Sequence, residues 1–254
     1  MPYLFAAAFG LVIGSFLNVC IYRLPLDESI VWPASRCTSC GRALSWFENI
    51  PVLSYAVLGG NCRTCGAHIS LMYPVIEALT AALFVATYAV FGLSWLLPIR
   101  ILFGCAMIVL LVIDLQHQIL PNEITLGGIA AGLAVSFATL DNPGWRDAAL
   151  GAAAGGGIPW LVAWGYERVR HQQGLGFGDV KMLAMIGAFL GWKLMLLTLA
   201  SATVLGSLTA GALMLAGRAS LQSKLPLGTF LAVTAILSSL FGRPIVEWYF
   251  ALYR

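Results

Sequence analysis

Charge is what this chain of 254 residues has least of: Asp, Glu, Lys and Arg make up 10% of it, against 60% hydrophobic residues and a mean hydropathy of +0.88. A soluble domain carries about a quarter charged residues, so the shortage excludes an ordinary soluble fold and predicts an all-α polytopic integral membrane protein. Basic clusters are missing too. The net charge of +3 comes with no basic run and no aromatic-basic interleaving, which argues against a nucleic-acid partner. The first apolar stretch lacks a basic leader and a small-residue cleavage site and runs directly into Arg23-Leu24-Pro25. It reads as a retained helix rather than a signal peptide. Inverted repeats and paired broken helices, which mark many transporters with a midplane site, are not visible either.

Long apolar runs are present in quantity. Uncharged stretches cover Pro2 to Tyr22, Ala78 to Ile99, Ile101 to Ile113, Ile124 to Leu140, Ala148 to Tyr166, Met182 to Trp192, Leu194 to Gly217 and Leu225 to Gly242. About 20 apolar residues span a bilayer, so about eight transmembrane helices are expected. Ile101 to Ile113 and Met182 to Trp192 are too short alone and must borrow flanking turns or enter at the membrane edge. Placing the N-terminus outside puts most of the fourteen basic residues, Arg23, Arg36, Arg42 and Arg63 among them, in the cytoplasm, a modest positive-inside bias. Gly128 with Gly132, and Gly151 with Gly155, have the small-xxx-small spacing of closely packed helices.

Only the roughly fifty residues between the first two helices look like a water-exposed module. They hold Cys37-Thr38-Ser39-Cys40 and Cys62-Arg63-Thr64-Cys65, each pair followed by glycine, Gly41 or Gly66. Two C-x2-C pairs with turn-permitting glycines suit a structural zinc ion held by four thiolates. A pair of disulfides is the competing reading, disfavoured by a reducing cytosolic location. So small a module cannot bury much core, and a metal would supply its folding energy. His68 is a weaker candidate ligand. Cys20 and Cys105 lie in apolar helices, where a free cysteine is a small packing residue.

Two carboxylates stand out because each sits at the edge of an apolar segment, where a charge is costly unless it is used. Asp114 lies in Val112-Ile113-Asp114-Leu115-Gln116-His117-Gln118-Ile119-Leu120-Pro121-Asn122, at a helix end. Asp179 lies in Gly174-Leu175-Gly176-Phe177-Gly178-Asp179-Val180-Lys181, at a helix start. Gly176 and Gly178 leave room for another backbone, such as an extended peptide, to approach. The topology puts both aspartates at the cytoplasmic face. If they meet, they share a proton; one activates water while the other protonates a peptide carbonyl, the logic of an aspartic protease. The alternative is an ion-coupled transporter using the same two carboxylates.

Together these residues resemble the type IV prepilin peptidases, the G-x-G-D family of aspartic membrane proteases. The likeness covers nearly the whole chain: Gly14-Ser15-Phe16-Leu17-Asn18-Val19, Arg23-Leu24-Pro25, both cysteine pairs, Asn49-Ile50-Pro51-Val52-Leu53-Ser54-Tyr55, Tyr73-Pro74 with Glu77, and Gly176-Phe177-Gly178-Asp179. The resemblance implies a multi-pass enzyme of the bacterial inner membrane. It implies cleavage of the leader of type IV prepilins and type II secretion pseudopilins, then N-methylation of the new amino terminus with S-adenosylmethionine. Asp114 and Asp179 take the protease role by position, and Cys37, Cys40, Cys62 and Cys65 the metal role. The family often has glycine and lysine before the third cysteine, where this chain has Gly60-Asn61. Asn122 stands where an aspartate is common after Leu-Pro, which favours Asp114 as that motif's carboxylate.

Three regions are expected: a first transmembrane helix over 1–23, a zinc-binding, methyltransferase-associated module over 24–72, and a membrane peptidase domain over 73–254. Gly60 and Glu77 are the candidate cofactor-binding residues. Glu77 has two readings, a charge stabilising a positive helix end or a contact for the cofactor or the substrate amine. Lys181 either neutralises a lipid phosphate of the bilayer or holds the charge of Asp179. His117 and His171 read as interfacial loop residues.

Overall fold

Proline and glycine decide where the helices of this protein start and stop. A computed structural model describes residues 1–139, 143–170, 176–218 and 226–252; Leu140, His171, Gly174, Leu175, Lys224, Leu225 and Arg254 lie outside the described residues. Pro2 opens α1 (Pro2–Arg23), a position where its missing N–H costs nothing. After a short 3-10 turn, Asp27 takes a left-handed conformation and ends the run. The loop that follows holds a single turn-and-a-half helix, α2 (Leu53–Val57). Gly92, at φ 60°, closes α3 (Met72–Phe91) with its N–H on the Tyr88 carbonyl. Then come α4 (Leu97–His117), α5 (Asn122–Thr139) just after Pro121, α6 (Trp145–Arg170), α7 (Phe177–Leu215) and α8 (Leu227–Ala251) just after Pro226. Among the described residues there is no strand, only isolated bridges between Arg36 and Ala43 and between Asn61 and His68.

Among the described residues six helices, α1, α3, α4, α6, α7 and α8, are long and apolar enough to cross a membrane. The eighteen residues of α5 reach about 27 Å at 1.5 Å per residue, near the thickness of the hydrocarbon layer. The short third stretch does borrow turns at both ends, since α4 takes in Leu97–Arg100 before it and Asp114–His117 after it. The sixth and seventh stretches are two arms of α7, which breaks at Gly191 (φ 79°, ψ 168°). A Cβ there would lie 3.1 Å from Pro143 in a backbone conformation that side chains resist. Eight apolar helical segments result among the described residues. Leu79 of α3, Leu102 of α4, Leu126 of α5, Leu161 of α6, Leu208 of α7 and Phe241 of α8 are all exposed, an arrangement that lipid tolerates and water penalises.

The chain forms two compact units, Met1–Val109 and Leu110–Arg254. In the first, α1 lies against α3 at two glycines one helical turn apart. A Cβ on Gly10 would sit 2.7 Å from the Ala81 Cα, and one on Gly14 would sit 2.7 Å from the Glu77 Cα. In the second unit α7 is the central element, packed by α5, α6 and α8. Both expected small-residue pairs serve this packing: Gly151 and Gly155 bring α6 onto the Gly187 and Leu183 carbonyls of α7, and Gly128 and Gly132 bring α5 onto Met185 and Ala188. Lipid gives helices no hydrophobic reason to associate, so close backbone approach is what holds such bundles.

Candidate active site and metal centre

Asp114 occupies the last turn of α4, which Gln118 closes with its N–H on the Asp114 carbonyl, in a left-handed conformation at φ 55°. The Asp114 side chain is 5% exposed. Its Oδ2 accepts the Thr229 N–H at 2.6 Å and the Thr229 hydroxyl at 3.0 Å. Thr229 is in the first turn of α8, where backbone N–H groups have no partner inside the helix and the dipole end is positive. One helix start therefore holds the carboxylate of another helix's end. Gly228 makes room for it, since a Cβ there would fall 2.9 Å from Asp114 Oδ2.

Asp179 is the third residue of α7 and is half-buried. Its N–H donates to the Gly176 carbonyl, and its carboxyl is hydrogen-bonded by the Gly176 backbone. Leu120 fills the space between the two aspartate-bearing regions, 3.1 Å from where a Gly178 Cβ would stand and 3.2 Å from where a Gly228 Cβ would stand. The carboxyls of Asp114 and Asp179 are close enough to interact electrostatically. So the two acids lie within electrostatic reach of each other in one unit, with glycines on both flanks. The Lys181 ammonium donates to the Asn122 side chain at the start of α5 and lies over the Phe177 ring. His117 is exposed.

Thr229 and Gly228 are the residues that sequence reasoning missed. Pro226-Leu227-Gly228-Thr229 does read as a helix start, but nothing in the sequence links it to Asp114.

In the other unit, the sulfur atoms of Cys37, Cys40, Cys62 and Cys65 all lie within 4.8 Å of one another. Each C-x2-C pair is a tight turn built the same way. Cys37 N–H donates to the Arg42 carbonyl and Gly41 N–H to the Cys37 carbonyl; Cys62 and Gly66 repeat this with Ala67. Gly41 and Gly66 stand at φ 71° and 69°, which is why glycine follows each pair. Backbone N–H groups aimed at the sulfurs favour thiolate. The Cys62 thiol is brought down to about 6 by the N–H groups of Cys65 and Thr64, and Cys37 is lowered by those of Cys40 and Ser39. Four thiols that converge in this way fit a tetrahedral metal ion. His68 lies outside this sulfur cluster. Nearby, a capping box on Ser45 and Glu48 starts the 3-10 turn Trp46–Asn49. Arg42, 2.6 Å from Glu48, holds that carboxylate down to about 2.

The same unit contains a cavity of about 570 Å³ lined by Asn18, Arg23, Glu48, Tyr55, Tyr73 and Glu77, among others. That is the size range of small-molecule sites. Glu77 is buried on α3 and accepts the Val52 N–H at 2.7 Å. Gly60 does not line the cavity; a Cβ there would meet the hydroxyl of Tyr55, which does, at 2.9 Å.

Comparison with known proteins gives two family matches. Residues 8–91 are similar to the Bacterial Peptidase A24 N-terminal domain, and residues 101–211 to the Type IV leader peptidase family. Thr229 lies beyond both matches. Among the relatives that carry the name prepilin leader peptidase/N-methyltransferase are three that span most of this chain. The protein from Burkholderia pseudomallei (strain 1026b) is 35% identical over 96% of this chain and 87% of its own length. The protein from Pseudomonas putida is 34% identical over 94% and 91%. That of Myxococcus xanthus (strain DK1622) is 43% identical over 85% of this chain, a match that spans 64% of the relative. No solved structure matches the chain.

Proposed function

Because the chain belongs to the type IV leader peptidase family, we propose that it is a multi-pass inner-membrane enzyme that cleaves the leader from type IV prepilins and type II secretion pseudopilins and then methylates the new amino terminus. The ion-coupled transporter has no support, since the relatives named above are all peptidase/methyltransferases. The observation that supports the protease half is that Asp114 and Asp179, from distant helices of one unit, lie within electrostatic reach of each other. Two adjacent carboxyls titrate as a unit and hold one proton between them. The charged partner takes a proton from water, and the protonated partner gives one to the scissile carbonyl, so no covalent intermediate forms. Thr229 fixes the orientation of Asp114, while Gly176, where a Cβ would meet only the Asp179 carboxyl, leaves room for an extended peptide backbone; Gly178 is packed by Leu120.

Cys37, Cys40, Cys62 and Cys65 hold a structural zinc ion, which supplies folding energy to the loop and takes no part in either reaction. The adjacent cavity is the site of methyl transfer from S-adenosylmethionine, with Glu77 in its wall and Gly60 behind Tyr55. The division of labour follows the regions 1–23, 24–72 and 73–254: anchor, zinc and methyltransferase module, and peptidase, with Asn18, Arg23, Tyr73 and Glu77 of the flanking helices also lining the methyl-transfer cavity. The N-terminus lies outside and the aspartate pair at the cytoplasmic face.

Purified full-length protein is expected to cleave a prepilin-like peptide. Asp114→Asn and Asp179→Asn are each expected to slow cleavage by about 10³-fold or more while methylation of an already cleaved peptide persists. Cleavage by either variant at a rate near that of the parent, measured by mass spectrometry, would rule out the acid pair.

A further inference from the structure

Glu77 is 7% exposed at the wall of the cavity, and the mechanism above gives its carboxylate no task. Among the described residues the ion pair is that of Arg42 with Glu48, and Glu77 has no cation opposite it. A buried charge without a counter-charge is costly and persists where something repays it. Its hydrogen bonds are also incomplete. A carboxylate has room for about four donors, and this one receives the Val52 N–H and the Ser15 hydroxyl.

The Val52 contact is itself unusual. Val52 has φ 59° and ψ −45°, and Leu53 N–H bonds back to the Pro51 carbonyl, which makes Pro51-Val52-Leu53 a γ-turn of the rare, strained hand. A β-branched residue at positive φ is an outlier that survives only when its surroundings impose it. Here the imposing contact is Glu77, which fixes the turn at the edge of the cavity. Strain of this kind gathers at ligand sites.

An unpaired carboxylate with empty acceptor positions calls for a cation that carries N–H donors. A sulfonium supplies charge but no donor; an ammonium supplies both. We propose that Glu77 receives the terminal ammonium of the peptide to be methylated and takes a proton from it, an assignment that rests on the methyltransferase half of the function proposed above. The proton passes from nitrogen to Glu77. The freed nitrogen lone pair then forms the N–C bond as the methyl carbon's bond to sulfur breaks. Sulfur keeps that electron pair and leaves as S-adenosylhomocysteine, and the peptide ends as a secondary ammonium. Glu77 later releases its proton to water.

Glu77→Gln keeps an acceptor for the Val52 N–H and removes the charge, so it separates this role from a merely structural one. The probes are a peptide matching the mature end of a prepilin-like substrate and the same peptide N-acetylated, titrated by calorimetry against full-length protein. The expected result is that the parent prefers the free amine by at least about tenfold, as a charge-assisted contact predicts, and that Glu77→Gln loses the preference without weakening binding of the acetylated peptide. Methyl transfer at saturating donor falls about 100-fold, while cleavage and zinc content stay within about twofold. Equal weakening of both peptides assigns Glu77 to structure and overturns the proposal. So does a selective loss of S-adenosylmethionine over S-adenosylhomocysteine, which would put the sulfonium against Glu77. Parent protein that cleaves but transfers no methyl group overturns the methyltransferase reading itself, and this assignment with it.

Discussion

The two units build their sites in opposite ways. In Met1–Val109 the sulfur cluster draws on residues no more than 28 positions apart, and each half is a tight turn that closes on its own backbone. In Leu110–Arg254 the acid pair depends on a hydrogen bond between residues 115 positions apart, and its three parts come from a helix end and two helix starts. The first site needs only a few local turns. The second needs a finished bundle. A perturbation of local chemistry should therefore damage one activity and spare the other, whereas a perturbation of helix assembly should reach the peptidase.

The sharpest way to test this contrast is at the thiols. Cys62→Ser, or removal of metal with a strong chelator, is expected to lose the bound zinc and open the loop. A structural zinc site contributes on the order of 10 kcal/mol in small domains, more than a loop with so little core can replace. Methyl transfer should fall below detection, while prepilin-peptide cleavage stays within a few-fold. Elemental analysis and limited proteolysis over residues 24–71 report the loss, and a parallel collapse of cleavage would erase the distinction between the units.

A smaller effect is expected at the anchor of the acid pair. Thr229→Val removes the hydroxyl bond to Asp114 and leaves the backbone N–H bond in place. One such hydrogen bond to a charged group is worth about 1.5–3 kcal/mol, so cleavage should slow by roughly ten- to a hundredfold, with methyl transfer of a cleaved peptide unchanged. A peptidase indifferent to this substitution would mean that α8 does not orient Asp114.

The smallest expected effect concerns acid. Arg42 holds Glu48 near 2, below its ordinary value of 4.5, so the folded loop binds that proton less readily than the unfolded chain. The stabilisation is complete above about 4.5 and is lost as pH falls toward 2. Glu48→Gln should remove that dependence. Loop opening followed by proteolysis across the acid range, with zinc-free and zinc-loaded protein compared, measures it.

The same contrast explains how much of the molecule was legible in its sequence. Paired thiols followed by glycine announce their own turn, and the isolated aspartates announce themselves by their cost beside hydrocarbon. Gly128, Gly132, Gly151 and Gly155 were readable from spacing alone. Gly10 and Gly14 carry the same spacing, but Gly14 also opens the Gly14-Ser15-Phe16 motif, so spacing alone does not single the pair out. Other features leave no local trace. Gly191 looks like any glycine in an apolar run until Pro143 is found against it. Val52 is an ordinary valine until Glu77, 25 residues on, is seen holding its N–H. The tie between Thr229 and Asp114 exists only in the folded bundle.

That tie gives the enzyme a schedule. A ribosome that has delivered α4 and α7 has already made both acids, yet Asp114 still lacks the donor that sets its orientation until Thr229 emerges and the last helix enters the bilayer. On the function proposed above, the nascent chain thus stays blunt and sharpens only as its own synthesis closes.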